Sequence, residues 1–443
     1  MFEVALIFVL ALGLAWPLGR YMAGVFSGQP HVSDRLFGPL ERITYRLIGV
    51  NPLQGMTWKT YVWALLLCNL VLGGVAYLIL LLQHLLPMNP DNIGPLSWDL
   101  ALHTAVSFLT NTNQQHYSGQ AQLSYLSQGF LIVTLQVVTP MTGLAACVAI
   151  LRGMFGGRNA DSAKEGEPRD LGNFYVDLVR GVLRVALPVA LVTSLLLTWQ
   201  GVPSTYQGAQ VAQPLDTAAE MREQVIPVGP VAPMVAIKQL GTNGGGWYGP
   251  NSSNPLENPT PVSNAIETVA LVLIPMSIVF MAGFLLRRRR FAMMSLAVMG
   301  VALIAATVYS EVQPNAAFAG LSADGSNMEG KELRFGPELS ELWGTFTTQT
   351  SNGSVNAMHD SFNPLGGLVT RAGMLINAIW GGVGVGFINF IVYVWIAVFL
   401  SGLMIGRTPR DFWPQDRNPR NCRAGRGTST ADVGDPAPHS HYR

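Results

Sequence analysis

The stretch Gly241-Thr242-Asn243-Gly244-Gly245-Gly246 is rich in oxygen atoms and carries no charged side chain. Adjacent glycines are poor helix material, each costing about 1 kcal/mol against alanine, but they leave main-chain carbonyls uncovered. A row of carbonyls held at membrane depth can replace the hydration shell of a potassium ion. Gly- and Asn-rich clusters also make ordinary surface turns, and one such stretch does not separate the two readings. Two further stretches have the same character: Thr110-Asn111-Thr112-Asn113-Gln114-Gln115-His116-Tyr117-Ser118-Gly119 and Thr347-Thr348-Gln349-Thr350-Ser351-Asn352-Gly353-Ser354-Val355-Asn356. Uncharged carbonyl and hydroxyl oxygens suit a weakly hydrated monovalent cation that must also leave again. A divalent site would call for carboxylates.

Such stretches need walls. The chain has 443 residues, 49% hydrophobic and 12% charged, with mean hydropathy +0.31. Soluble domains carry about 25% charged residues, so this composition points to an all-α polytopic membrane protein in a lipid bilayer. A net charge of +1 argues against a nucleic-acid partner. Cys68, Cys147 and Cys422 lie far apart, and the seven histidines show no ligand spacing, so neither a disulfide framework nor a metal site is suggested.

Apolar runs predict spans near 4–18, 61–82, 128–151, 181–199, 266–286 and 291–309. A seventh apolar region, 373–405, is too long for one straight span and is broken by Gly381-Gly382-Val383-Gly384-Val385-Gly386. The first span has no basic start, so it reads as a membrane helix with its N-terminus outside rather than as a leader. Each polar stretch follows a short apolar segment, at 97–109, 231–240 and 337–346, too short to cross a bilayer and therefore re-entrant. The three predicted inner intervals carry five, six and four Lys plus Arg, and the three outer ones none, two and three. That asymmetry fixes the orientation. A unit of span, short helix, polar stretch and span thus recurs three times, and a recurring unit is an internal repeat. The expected organisation is an N-terminal span (1–20), a cytoplasmic loop (21–60), pore repeat 1 (61–152), a second cytoplasmic loop (153–180), pore repeat 2 (181–286), pore repeat 3 (287–406) and an atypical tail (407–443). It comprises seven transmembrane helices and three re-entrant pore helices.

Several separate motifs now agree in order. Thr110-Asn111-Thr112-Asn113, the 241–246 stretch with Asn254-Pro255-Leu256-Glu257-Asn258-Pro259-Thr260 behind it, Ala357-Met358-His359-Asp360-Ser361-Phe362, and Gly406-Arg407-Thr408-Pro409 together resemble the potassium-binding subunit of the Kdp potassium-transporting P-type ATPases. The resemblance runs from near the N-terminus to about Pro409. It implies four span–pore–span repeats around one pore, a potassium ion taken from outside, and transfer through an inter-subunit tunnel to an ATP-hydrolysing catalytic subunit, with small accessory subunits in the complex. Carried over residue by residue, it implies a potassium filter built from Thr110, Asn111, Thr112 and Asn113, with Gln115 at the pore mouth; from Thr242, Asn243 and Gly244; and from Thr350, Ser351, Asn352 and Gly353. The break at Gly381, Gly382, Gly384 and Gly386 resembles an intramembrane loop that gates or diverts the ion; a plain helix kink is the other reading. Arg407 resembles an inner-side arginine of the family or is an ordinary positive flank. The chain departs from the family at Gln114, where an aromatic is usual, and at Val137, where Asn is usual.

After Pro409 the sequence turns Pro-, Arg- and Gly-rich with no apolar run, the composition of a disordered tail. A frameshift or an alternative end is the expectation there, leaving the pore ring one wall short unless another chain closes it. A passive potassium channel or symporter of the same superfamily, and an inactive remnant that only assembles with partners, are the competing functions. No ATP site is expected in this chain: Gly325-Ser326-Asn327-Met328-Glu329-Gly330-Lys331 spells most of a phosphate loop, but Glu332 replaces the Ser or Thr that loop requires. His359-Asp360-Ser361 are neighbours in sequence, whereas a hydrolase triad is assembled in space, so they are expected to form a turn behind the third filter segment.

Overall fold

The computed structural model describes residues 2–28, 30–155, 170–215, 222–312 and 328–405. The chain divides into two units, Met1–Ile396 and Ala397–Arg443; the site lies in the first. Arg407 and the tail from 406 onward lie outside the described residues, as do residues 325–327 of the phosphate-loop look-alike.

The regular structure is almost entirely helical. The first span, α1 (Phe2–Phe26), leads to a short helix, α2 (Asp34–Leu47), and a second span, α3 (Trp58–Leu82). The first pore helix is α4 (Trp98–Leu109), followed by a single turn, α5 (Gly119–Gln122). A π-helical stretch, Leu126–Ile132, runs into α6 (Val133–Phe155). The fourth span joins α7 (Phe174–Arg180) and α8 (Leu187–Trp199) through a second π-helical stretch, Gly181–Ala186. A two-stranded antiparallel hairpin, β1 (Gln210–Ala212) with β2 (Gln224–Ile226), precedes the second pore helix, α9 (Val231–Leu240). The spans α10 (Pro261–Leu285) and α11 (Arg289–Val312) follow, then the third pore helix, α12 (Gly336–Gln349). The last apolar region is split into α13 (Pro364–Ile376) and α14 (Val385–Ile405).

Among the described residues seven helices are long and apolar enough to cross a membrane, and all three predicted short helices form between spans. The expected loop at 21–60 instead contains α2. Its Asp34, Gly38, Glu41 and Tyr45 face the protein, while Leu36, Leu40, Ile43 and Leu47 are exposed. That pattern is helical but too polar to register as an apolar run. The region predicted to begin at 373 begins nine residues earlier, because Asn363 caps the helix by accepting from the Gly366 amide and Pro364 sits at its first position.

α10 is the enclosed helix around which the others pack, whereas α3 exposes Trp63, Leu66, Leu70 and Val71. It starts at a capping box: Thr260 Oγ1 accepts from the Ser263 amide at 3.0 Å, and Ser263 Oγ accepts from the Thr260 amide at 2.9 Å. α1 lies along it at very close range. A Cβ on Gly19 would fall 2.5 Å from the Ser277 carbonyl oxygen and 2.6 Å from the Phe280 Cβ, so only glycine permits this approach.

The end of the bundle opposite the polar stretches is closed by buried ion pairs. Arg152 on α6 donates to both carboxylate oxygens of Asp177 on α7, at 2.7 and 3.0 Å, and to the carbonyls of Phe26 and Leu171 at 3.0 and 2.9 Å. Tyr61 on α3 donates to the same carboxylate at 3.1 Å. Arg184, which by sequence is only a positive flank, is buried between Glu41 and Asp34 of α2. Breaking one partner of a buried pair leaves an uncompensated charge, costing about 3–5 kcal/mol. Asp177→Asn is therefore expected to lower the thermal unfolding midpoint of the detergent-purified protein sharply. Arg152→Met combined with Asp177→Leu should recover most of that loss.

Candidate functional site

The three polar stretches share one backbone. Each begins at the residue that caps a pore helix: Thr110 (φ −85°, ψ 5°), Gly241 (φ −82°, ψ −2°) and Thr350 (φ −95°, ψ 1°). Each capping residue's amide reaches back four residues, to the carbonyls of Val106, Ile237 and Phe346. The next residue is left-handed in all three: Asn111 (φ 60°), Thr242 (φ 51°) and Ser351 (φ 54°). After it comes Thr112, Asn243 or Asn352, whose amide reaches back five residues to Ser107, Lys238 or Thr347. The residue after that is left-handed again: Asn113 (φ 51°), Gly244 (φ 80°) and Gly353 (φ 84°). Alternating backbone hand turns successive peptide planes so that groups of one kind line one side. A β-branched residue such as Thr242 rarely adopts positive φ, and holding it there costs about 1–3 kcal/mol.

This common backbone corrects the register expected from the side chains. Gly241 stands where Thr110 and Thr350 stand, so the second segment starts one residue before Thr242. Gly241 has no side-chain oxygen, and the resemblance of residue types therefore starts too late.

The segments meet. The carboxamides of Asn111 and Asn243 hydrogen-bond to each other. Asn352 Nδ2 donates to the Lys238 carbonyl at 2.8 Å, and the Asn352 carbonyl lies directly against the α-carbon of Gly244. Gln115 grips Gly246 at both backbone atoms, donating to its carbonyl and accepting from its amide at 2.9 Å each. Gln136 donates to the Gly245 carbonyl at 2.8 Å. These carboxamides leave the upper glycines of the second stretch braced rather than free. Thr242, Asn243, Thr350 and Asn352 are buried, whereas Thr110 and Thr112 are exposed beside an open cleft of about 460 Å³ lined by Trp98, His103, Val106 and Gln114.

The glycine break is not a kink. Between α13 and α14 the chain is non-helical from 377 to 384, with Asn377, Trp380, Gly382 and Gly384 at positive φ. The Gly382 amide donates to the Thr350 carbonyl at 2.7 Å, and the Val383 amide donates to Thr242 Oγ1 at 3.1 Å. Ser351 Oγ reaches Asn377. A Cβ on Gly384 would lie 2.5 Å from the Gly143 carbonyl oxygen, and one on Gly143 would lie 2.6 Å from the Val383 carbonyl oxygen, so the loop touches α6 main chain to main chain. Gly381 lies within the break, but Gly386 is in the first turn of α14 and packs against Gly381 instead of belonging to the loop.

Behind the third segment, His359-Asp360-Ser361 form a single 3₁₀ turn, with the His359 ring 5.0 Å from that of Phe362. Burial pushes the His359 imidazole down from 6.5 to about 4, which keeps it neutral near pH 7. Among the described residues no cluster of His, Cys, Asp and Glu could hold a metal ion. The donor set at the three stretches is uncharged oxygen, which fits an alkali cation as cargo.

The family described as "Potassium-transporting ATPase A subunit" matches residues 5–413. The chain belongs to that family. The potassium-transporting ATPase potassium-binding subunit of Pseudomonas aeruginosa is 46% identical over 410 residues, covering 91% of this chain and 70% of the relative. The subunit of the same name from Alicyclobacillus acidocaldarius is 46% identical over 413 residues, covering 92% and 71%. That of Geobacillus kaustophilus is 42% identical over 412 residues, again covering 92% and 71%. Within this A-subunit chain, reasoning from sequence left Gly241 out of the second filter segment and did not single out the braces Gln136 and Asn251 or the buried Lys238. The available signal for Lys238 was its position: a lone cation on an apolar pore helix three residues ahead of the glycine-rich stretch.

Proposed function

We propose that this chain binds potassium and carries it through the membrane as the non-catalytic subunit of a Kdp-type, ATP-driven importer. The reading places it in the bacterial inner membrane with its N-terminus outside. The observation that carries it is the backbone shared by the three stretches: the same alternation of hand, at the same offset from three pore helices, in segments that touch. Such irregular backbone is tolerated at membrane depth only where protein walls it and it lines a polar path. The named function of the relatives and the uncharged donor set both support potassium as the cargo.

In this reading the ion enters from the extracytoplasmic side and exchanges water for main-chain oxygens of 110–113, 241–244 and 350–353. Preformed left-handed residues hold those oxygens in place, so little reorganisation is needed on binding. The loop at 377–384 is the gate. Its Gly382 amide donates to the Thr350 carbonyl, so the position of the loop is coupled to that oxygen. ATP hydrolysis belongs to a separate catalytic subunit, and small accessory subunits complete the complex.

The test is direct. Purified protein should be stabilised against heat by potassium and rubidium in a saturable way, and far less by sodium. In vesicles, uptake should require the catalytic subunit and ATP. Saturable uptake by this chain alone would favour a passive channel or symporter, and the absence of any potassium effect would end the proposal.

A further inference from the structure

Lys238 sits on the last turn of α9 and is fully buried, as are Glu257 and Glu267. An ammonium group has three protons to give, and all three are used. Lys238 Nζ donates to Asn251 Oδ1 at 2.8 Å, to Ser252 Oγ at 2.6 Å and to Glu257 Oε2. Each contact continues toward the candidate filter. Because Asn251 Oδ1 faces the ammonium, its Nδ2 is turned outward and donates to the Gly244 carbonyl at 2.6 Å. Glu257 Oε1 accepts from the Tyr248 amide at 2.8 Å, pinning the exit of the same glycine stretch. Ser252 Oγ donates to Glu267 Oε2 at 2.8 Å, and the same carboxylate oxygen accepts from Gln239 Nε2 at 2.8 Å. Gln239 Oε1 in turn accepts from Ser354 Oγ at 3.0 Å, at the end of the third stretch. The Lys238 carbonyl itself accepts from the Asn243 and Gly244 amides and from Asn352 Nδ2.

One residue therefore ties two of the three stretches together, through its main chain and through both arms of its side-chain network. We propose that Lys238 is a positioning residue for ion discrimination, holding the second and third carbonyl stretches at a fixed separation. This rests on the potassium reading of those stretches. Selectivity between cations of one charge depends on how many oxygens surround the ion and how freely they yield, so a brace that sets their spacing sets the preference. A lysine serves here because its charge, matched by Glu257, orients Asn251. A neutral side chain would leave that amide oriented only by the Ser252 amide, which donates to Asn251 Oδ1 at 2.9 Å, and by the Gly244 carbonyl itself, so the brace on the second stretch loosens.

The plain alternative is that Lys238 only neutralises Glu257. Heat stabilisation by potassium and by sodium, measured on the full chain in its complex, separates the two. Loss of one such directional contact is expected to raise the potassium concentration for half-maximal stabilisation about tenfold in Lys238→Met, with a smaller potassium-to-sodium ratio. Lys238→Met with Glu257→Gln removes both charges together, so folding yield should recover while discrimination stays impaired. Asn251→Ala leaves the charge pair intact and should show the same loss of discrimination. Parental affinity and ratio in the double variant, or in Asn251→Ala, would overturn the proposal. A parent protein that potassium does not stabilise over sodium would overturn the functional reading itself, and the proposal with it.

Discussion

Gly244→Ala is expected to abolish selective potassium binding while leaving the seven spans assembled. Two independent features of the position require glycine. Its φ of 80° lies in the left-handed region that alanine enters only at a cost of about 1–2 kcal/mol. The larger obstacle is space: an added Cβ would collide with the Asn352 carbonyl and stand 2.6 Å from the Ser354 amide nitrogen. Both belong to backbone, which cannot rotate away as a side chain can. One methyl group on the second stretch must therefore displace the third. Asn352 Oδ1 accepts from Thr347 Oγ1 at 3.2 Å, and two residues on the Ser354 carbonyl accepts from Trp343 and Thr347 at 3.0 and 2.8 Å. The displacement goes into the spacing between stretches, and a loss of affinity of at least about a hundredfold is expected if about 3 kcal/mol of coordination energy is lost. Gly244→Asp should do the same and add a charge. Potassium-dependent thermal stabilisation, with sodium as the comparison, reads the result. A Gly244→Ala protein with parental potassium preference would remove this position from the filter.

Gly384→Ala is the second large effect, and its sign is opposite: more ion movement, not less. Gly384 has φ 85°, and its α-carbon lies against the Gly143 carbonyl on α6. A methyl group there pushes the 377–384 loop off α6. The hydrogen bonds from Gly382 to Thr350 and from Val383 to Thr242 depend on that seating. Without them the loop no longer holds the oxygens of the second and third stretches, and the gate proposed above opens. Rubidium efflux from vesicles without ATP should rise about tenfold or more, the change expected for about 1.4 kcal/mol of lost closure. An unchanged leak with normal binding would mean that the loop is a brace and not a gate.

Much of the fold is legible in the sequence because the membrane imposes a simple rule. Apolar runs long enough to cross give the spans, and apolar runs too short to cross, followed by uncharged polar residues, give the pore helices. α9 spans the predicted residues, and α4 and α12 differ from prediction by at most three residues at an end. What stayed hidden depends on direction rather than hydrophobicity. α2 is amphipathic and short, so no apolar run marks it. The register of the second stretch depends on the φ and ψ of Gly241, which a sequence does not display. Lys238 counts in a charge tally as one more positive residue, and only its three bonds distinguish it from a solvated one. Arg184 is the same case at the other end of the bundle. Gly386 looks like the other glycines of its cluster, yet helix α14 begins one residue before it.

The order of these groups along the chain bears on how the protein is made. α10 carries Asn264, Glu267 and Thr268 on a helix that must enter the bilayer, and an acidic side chain facing lipid is costly. Its first partners, Gln239 and Ser252, have already left the ribosome when α10 emerges, as have Lys238, Asn251 and Glu257. The acid can thus be sheltered by its own hairpin long before α12 delivers Ser354. The second wall of the pore thus arrives with its acid already tied down, and the third has only to dock.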